Sequence, residues 1–162
     1  MDRSNNLVRD KFGGKLRVRV CGICIVRDKI LLVNHLGLNE ENEFWAPPGG
    51  GMDFGLSAEE NLKREFKEET GLDIGIKKFL FVHEFVDAPL HAVELFFDVE
   101  IIGGDLLVGT DPELCKTDQI IFQIDYKDFK WINRHRGNKL HQLLNHVKNL
   151  DELTNLEGYF KL

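Results

Sequence analysis

Glu65, Glu68 and Glu69 are the side chains whose types and spacing most clearly invite chemistry. On a helix turning by about 100° per residue, Glu65 and Glu69 project from nearly one azimuth and Glu68 flanks them. Ala58, Leu62 and Phe66 form an apolar stripe on the same helix, so the carboxylates run along the edge of its core-facing side. Burial there penalises the charges, and they repel one another at spacings of three and four residues. Glu68 and Glu69 also oppose the dipole in the last turn, at a cost of a few tenths to about 1 kcal/mol. A divalent cation taking oxygen ligands offsets these penalties most directly. The alternative is an ordinary solvated Lys/Glu-rich face, with Lys63, Arg64 and Lys67 outward.

The elements that must position these groups are short. Ser57 with Glu60 makes a capping box at the helix start, and Gly71 suits the left-handed cap at its end. Ahead of the helix, Pro47-Pro48-Gly49-Gly50-Gly51 brings bare backbone close to a ligand, so a carbonyl can join the carboxylates on a metal. Magnesium commonly binds through a few carboxylates plus substrate phosphates.

Residues 50–72, GGMDFGLSAEENLKREFKEETGL, resemble the Nudix box, G-x5-E-x7-R-E-U-x-E-E-x-G-U with U a bulky apolar residue. Gly50, Arg64, Glu65, Phe66, Glu68, Glu69, Gly71 and Leu72 match, and Trp45-Ala46-Pro47-Pro48-Gly49-Gly50 resembles the usual approach to it. One position departs: the first glutamate of the pattern falls on Leu56. The resemblance implies an α/β fold, a Nudix-type α/β/α sandwich with a mixed β-sheet, a loop-helix-loop motif and a C-terminal helix. It implies one Nudix hydrolase domain over residues 1–162, hydrolysing a phosphoanhydride of a nucleoside diphosphate derivative with Mg2+, for which Mn2+ can substitute. Glu65, Glu68 and Glu69 would be metal ligands, Glu65 also helping to deprotonate water. The carbonyl of Gly50, or of Gly49, would complete the sphere, and Arg64 would hold neighbouring carboxylates.

In relatives the glutamate at the Leu56 position supports that arginine and the metal-binding carboxylates; Asp53, Glu60 or Glu68 can pair with Arg64 here instead. Catalysis is expected to survive; a catalytically weak nucleotide sensor or binding module is the alternative that Leu56 permits. Many relatives place a further acid on a later loop, where this chain offers Asp105, Asp111, Glu113 and Asp118. Substrate-binding candidates are Trp45, for stacking on a base, His83, His91 and Glu113, with core or surface roles as their alternatives. Small size points first to a nucleoside triphosphate, including oxidised ones, as substrate. ADP-ribose or another nucleoside diphosphate sugar comes second, through the spacing of Pro89 beyond the box.

The chain has 162 residues, 43% hydrophobic and 30% charged, which suits one soluble core. A net charge of −6 argues against a nucleic-acid polymer as partner. No apolar run approaches membrane-spanning length, and MDRSNNLVRDKF lacks a signal peptide's apolar centre. A cytoplasmic monomer or homodimer acting on a small nucleotide, without a membrane partner, is the expectation. Cys21 and Cys24 have C-x-x-C spacing but lie within a strand, where residues three apart face opposite ways, so packed free thiols are expected.

Residues 1–14 read as an irregular lead ending at Gly13-Gly14. Lys15–Val26 and Ile30–Val33 read as a hairpin, with Leu16, Val18 and Val20 on the core face. Two long strands are expected over Ile74–Val86 and His91–Ile102, with Val93, Leu95, Phe97 and Val99 sharing a face. A short strand at Ile120–Phe122 precedes a turn and helix start at Asp125–Phe129. Asn138–Leu150 reads as one amphipathic helix through Leu140, Leu143, Leu144, Val147 and Leu150, and residues 151–162 as an ambiguous tail.

Overall fold

The computed structural model describes residues 3–112 and 114–162. Its strands, in chain order, are β1 (Leu16–Ile23), β2 (Ile25–Val26), β3 (Lys29–His35), β4 (Phe44–Ala46), β5 (Gly49–Gly51), β6 (Leu72–Asp87), β7 (Leu90–Gly104), β8 (Ile121–Asp128) and β9 (Gly158–Lys161). The helices are α1 (Arg3–Phe12), α2 (Ala58–Thr70), α3 (Phe129–Arg134), α4 (Gln142–His146) and α5 (Leu150–Leu153). One mixed sheet runs β5-β1-β7-β6-β9, with β1 parallel to β7 and antiparallel to β5. The second is centred on β3, which pairs β8 on one edge and β2 and β4 on the other. This is the α/β sandwich expected.

Two apolar clusters hold the layers together. On one side Leu62 and Phe66 of α2, both fully buried, pack against Val20, Leu31, Phe97 and Val99. Burying each such side chain stabilises the fold by about 1.5–3 kcal/mol, which fixes the rotation of α2 and hence the direction of its carboxylates. On the other side Phe81 and Phe96 stack at 4.8 Å and meet Ile132, Leu140, Leu143 and Leu144. Cys21 belongs to this second cluster and Cys24 to the first. The two thiols therefore face opposite ways and are free, as the strand geometry requires.

Four expectations are corrected. The lead expected to be irregular instead forms α1 over Arg3–Phe12, which stops where Gly13 N–H donates to Arg9 O at 2.8 Å. Leu16 and Val18 are 63% and 43% exposed, while Arg17 and Arg19 take the sheltered face of β1. The last long strand extends to Asp128, whose carboxylate caps α3 by accepting from Trp131 N–H at 2.8 Å.

Asn138–Leu150 is not one helix. Arg136 donates to the carbonyls of Leu144, Asn145 and Val147, taking acceptors that a continuing helix would use, and Asn149 caps a separate turn. The apolar residues of that stretch are nevertheless all buried. In the tail, β9 adds to β6 in parallel, and Phe160 packs edge-on against Phe81 at 5.6 Å.

Candidate active site

Helix α2 starts on the expected capping box and ends at Gly71 with φ +74°. Its carboxylates then divide. Glu69 and Glu65 are both 5% exposed and turn towards β5. Gly49 N–H donates to Glu69 Oε2 at 3.0 Å, and a Cβ on Gly50 would lie 2.4 Å from Glu65 Cδ. Glu68 instead accepts from Arg64 at 2.8 Å and remains partly exposed.

Arg64 is the organiser. Besides Glu68 it bonds Glu65 at 2.8 Å, Asp53 at 3.3 Å, Gly51 O at 3.2 Å and Asn61 Oδ1 at 3.2 Å. Of the partners open to it once Leu56 stands in the box, Asp53 and Glu68 take the role, while Glu60 stays in the capping box. The fully buried Asn61 was not foreseen: it accepts from Asp53 N–H and donates to the Leu56 and Ser57 carbonyls, tying the loop to the helix.

The pair of buried carboxylates is only partly compensated by Arg64 and the Gly49 N–H. Burial, with further repulsion from Glu68, raises the Glu65 carboxyl to about 7 although Arg64 opposes it. Burial raises Glu69 to about 8 against the Gly49 hydrogen bond, and Glu65 and Asp111 add to the rise. Two under-neutralised carboxylates against bare backbone form an all-oxygen donor set that fits a hard divalent cation.

Around them is a cavity of about 90 Å³, lined by Gly49–Gly51, Glu65, Glu69, Asp111, His35, Arg17 and Arg19 among others. Asp111 arrives because its loop docks on the end of α2: Leu107, Gly109 and Thr110 N–H donate to the carbonyls of Thr70, Glu69 and Glu68. Of the other loop acids, Asp105 and Asp118 do not line this cavity, and Glu113 lies outside the described residues. Burial pushes the His35 imidazole down to about 4.

A second cavity, about 240 Å³, shares Val8, Arg17, Arg19 and Leu38 with the first. Phe44, Phe85, Asp87, Leu90, His91, Glu94 and His141 are among the residues that line the rest of it. Of the substrate-binding candidates it receives His91, whose Nε2 lies 2.6 Å from Glu84.

Trp45 and His83 line neither cavity. Trp45 is 2% exposed, packs edge-on to Trp131 at 5.3 Å and donates its indole N–H to Glu43, so no face is open to a base. His83 is fully buried with Nδ1 2.8 Å from Glu94.

His83, Glu94 and His141 bring their ligand atoms within 4.8 Å of one another. Leu143 N–H donates to His141 Nδ1, which leaves the proton on Nε2, facing Glu94 at 2.8 Å. That cluster is therefore a hydrogen-bonded brace. Burial pushes the Glu94 carboxyl up, but His141, His83 and Arg19 together hold it well below the usual carboxylate range. Sequence reasoning missed Arg17, Arg19, Glu94 and His141. The one signal available was the alternation of arginines along β1.

Comparison with known proteins follows this geometry. The model of the NUDIX domain matches residues 15–136. A curated relative from Methanocaldococcus jannaschii, an ADP-ribose pyrophosphatase, is 38% identical over 98 residues, 59% of this chain and 57% of its own. The chain thus spans little more than half the length of that relative.

A NUDIX hydrolase structure from Nitrosomonas europaea superposes with a TM-score of 0.64 at 18% identity, covering 86% of each chain. An ADP-ribose pyrophosphatase structure from Streptococcus suis does so at 0.59 and 18%, covering 89% of this chain and 98% of that one. With the family model matched over residues 15–136 and the fold shared, this chain belongs to the Nudix hydrolase family.

Proposed function

We propose that the protein hydrolyses the phosphoanhydride of a two-ended nucleoside diphosphate derivative of the ADP-ribose or nucleotide-sugar class. The observation carrying this reading is the pair of adjoining cavities: one holds two buried carboxylates against Gly49 and Gly50, the other has room for a second group. The first ranking from size, a nucleoside triphosphate, leaves the larger cavity without a clear occupant. The Methanocaldococcus jannaschii relative and the Streptococcus suis neighbour support the two-ended class. So does the position of Pro89, whose neighbours Leu90 and His91 line the larger cavity.

In this reading Glu65, Glu69 and the carbonyl of Gly50 would hold Mg2+ or Mn2+, and Arg64, itself bonded to Glu68, would keep Glu65 in place. The bound cation supplies neutralisation of the diphosphate and acidification of water. Glu65, held against Gly50, would accept the proton as water oxygen adds to phosphorus and the bridging P–O bond breaks. Asp111, in the same cavity lining, is a further acid.

Incubation with Mg2+ and a panel of ADP-ribose, nucleotide sugars and nucleoside triphosphates tests this. Release of AMP and ribose 5-phosphate from ADP-ribose is expected. A preference for triphosphates would overturn the substrate class, and no product from any of them would overturn the activity.

A further inference from the structure

We propose that Arg17 and Arg19 form a clamp for the substrate's diphosphate, each guanidinium held by a different positioning residue, Phe12 for Arg17 and Glu94 for Arg19. The proposal rests on the two-cavity reading above and adds the groups that would read the charge between the ends. Arg17 and Arg19 are two residues apart on β1, so they project to the same face of the sheet. Both line the metal-side cavity and the larger one, on the wall the two share. A diphosphate reaching from one cavity to the other must pass that wall, and paired guanidinium forks match its oxygens.

Neither arginine is left to wander. Arg17 lies with its guanidinium carbon 3.7 Å from the centre of the Phe12 ring, a stacked cation–π arrangement. Arg19 Nε sits 3.3 Å from Glu94 Oε1, directly across the β1–β7 register. The other Glu94 oxygen is bonded by both His83 and His141, which stops that carboxylate swinging into the cavity. Phe12 belongs to α1, which precedes the region matched by the family model. Val8, one turn earlier, lines both cavities as well. Helix α1 is thus a wall of the substrate site.

Steady-state kinetics with Mg2+ and ADP-ribose, together with Mn2+ binding followed by electron paramagnetic resonance, test this on the full chain. Arg17→Gln and Arg19→Gln are each expected to raise KM by about tenfold or more, more than they lower kcat, since a charge-assisted hydrogen bond is lost. Mn2+ affinity should not fall in either variant, since Arg19 lies close enough to Glu65 and Glu69 to oppose a cation there. Phe12→Leu should raise KM less, and Phe12→Trp should restore it, which a purely structural role for the helix would not require. If Arg19→Gln fails to fold because Glu94 is left unpaired, Arg19→Gln with Glu94→Gln takes its place.

Unchanged KM in Arg17→Gln and in the Arg19 variant would overturn the clamp. If the wild type turns over none of the panel, the activity reading fails and the clamp is read by calorimetric binding of ADP-ribose. Tenfold weaker binding by Arg17→Gln would then support it, and equal binding would overturn it.

Discussion

Replacing Gly50 by alanine is the sharpest perturbation of the site, because the residue's conformation allows the change and only Glu65 forbids it. Its φ lies outside the left-handed range, so alanine adds no backbone strain. The new methyl would stand 2.4 Å from Glu65 Cδ and 2.6 Å from each carboxylate oxygen. To regain ordinary contact at 3.4 Å the carboxylate must retreat by about 1 Å. A misplacement of that size in a catalytic constellation costs about a hundredfold in rate. Gly50→Ala should therefore lower kcat by about two orders of magnitude and weaken Mn2+ binding, while the melting temperature moves by only a few degrees.

Gly49→Ala is the contrast. There φ is +155° and a Cβ would lie 2.0 Å from Val20 O, so the β1–β5 pairing itself should fail. The assays are turnover of ADP-ribose, Mn2+ titration and thermal melting on both variants. Wild-type turnover and Mn2+ affinity in a folded Gly50→Ala protein would refute the placement of Glu65 against that glycine.

Other outcomes follow from the same contacts. Glu65 and Glu69 titrate at about 7 and about 8 in the folded protein and near 4.5 when unfolded, so the folded state binds more protons between those values. Metal-free stability should therefore fall as pH rises from about 4.5 to 8, and saturating Mn2+ should abolish the fall; melts in EDTA and in Mn2+ across that range check the sign. Glu69→Gln should be inactive yet more stable than wild type in EDTA at pH 9, as seen by turnover and melting. Leu56→Glu, which restores the family's glutamate, should change kcat less than about threefold because Arg64 already bonds Asp53, Glu65, Glu68 and Asn61. Asn61→Leu should instead lower stability by about 1–3 kcal/mol and reduce kcat, since it strips partners from Arg64 and from the Asp53 amide.

The loop and α2 were legible because everything that shapes them is local. Ser57 with Glu60, Gly71 with φ +74°, and the Leu62–Phe66 stripe lie within the same short segment as the carboxylates they aim. Glu68 was legible as an acid of the box but not as Arg64's partner, since Glu60 and Asp53 were equally open to that role. Asp111 could be named only as one of four loop acids. What selects it is the docking of residues 107–110 on the carbonyls of α2, a long-range event.

The larger cavity left no local trace. Arg19 meets Glu94 through the β1–β7 register, and His141 reaches Glu94 because Leu140 bridges to Trp45. Trp45 was placed near substrate by its neighbourhood in sequence, but the aromatic core around Trp131 claimed it. The arginines of β1 misled for a related reason. Leu16 and Val18 look like the buried alternation, yet a polar cavity inverts which side is sheltered. Among the described residues, no helix is long and apolar enough to cross a membrane.

The central claim is that Glu65 and Glu69, gathered against Gly50 and Gly49, seat a divalent cation. Crystals soaked in Mn2+ and measured at the manganese absorption edge test it most directly. The account predicts an anomalous peak touching both carboxylates and the loop carbonyl. An empty pocket there, or a peak between His83, Glu94 and His141 instead, would contradict it.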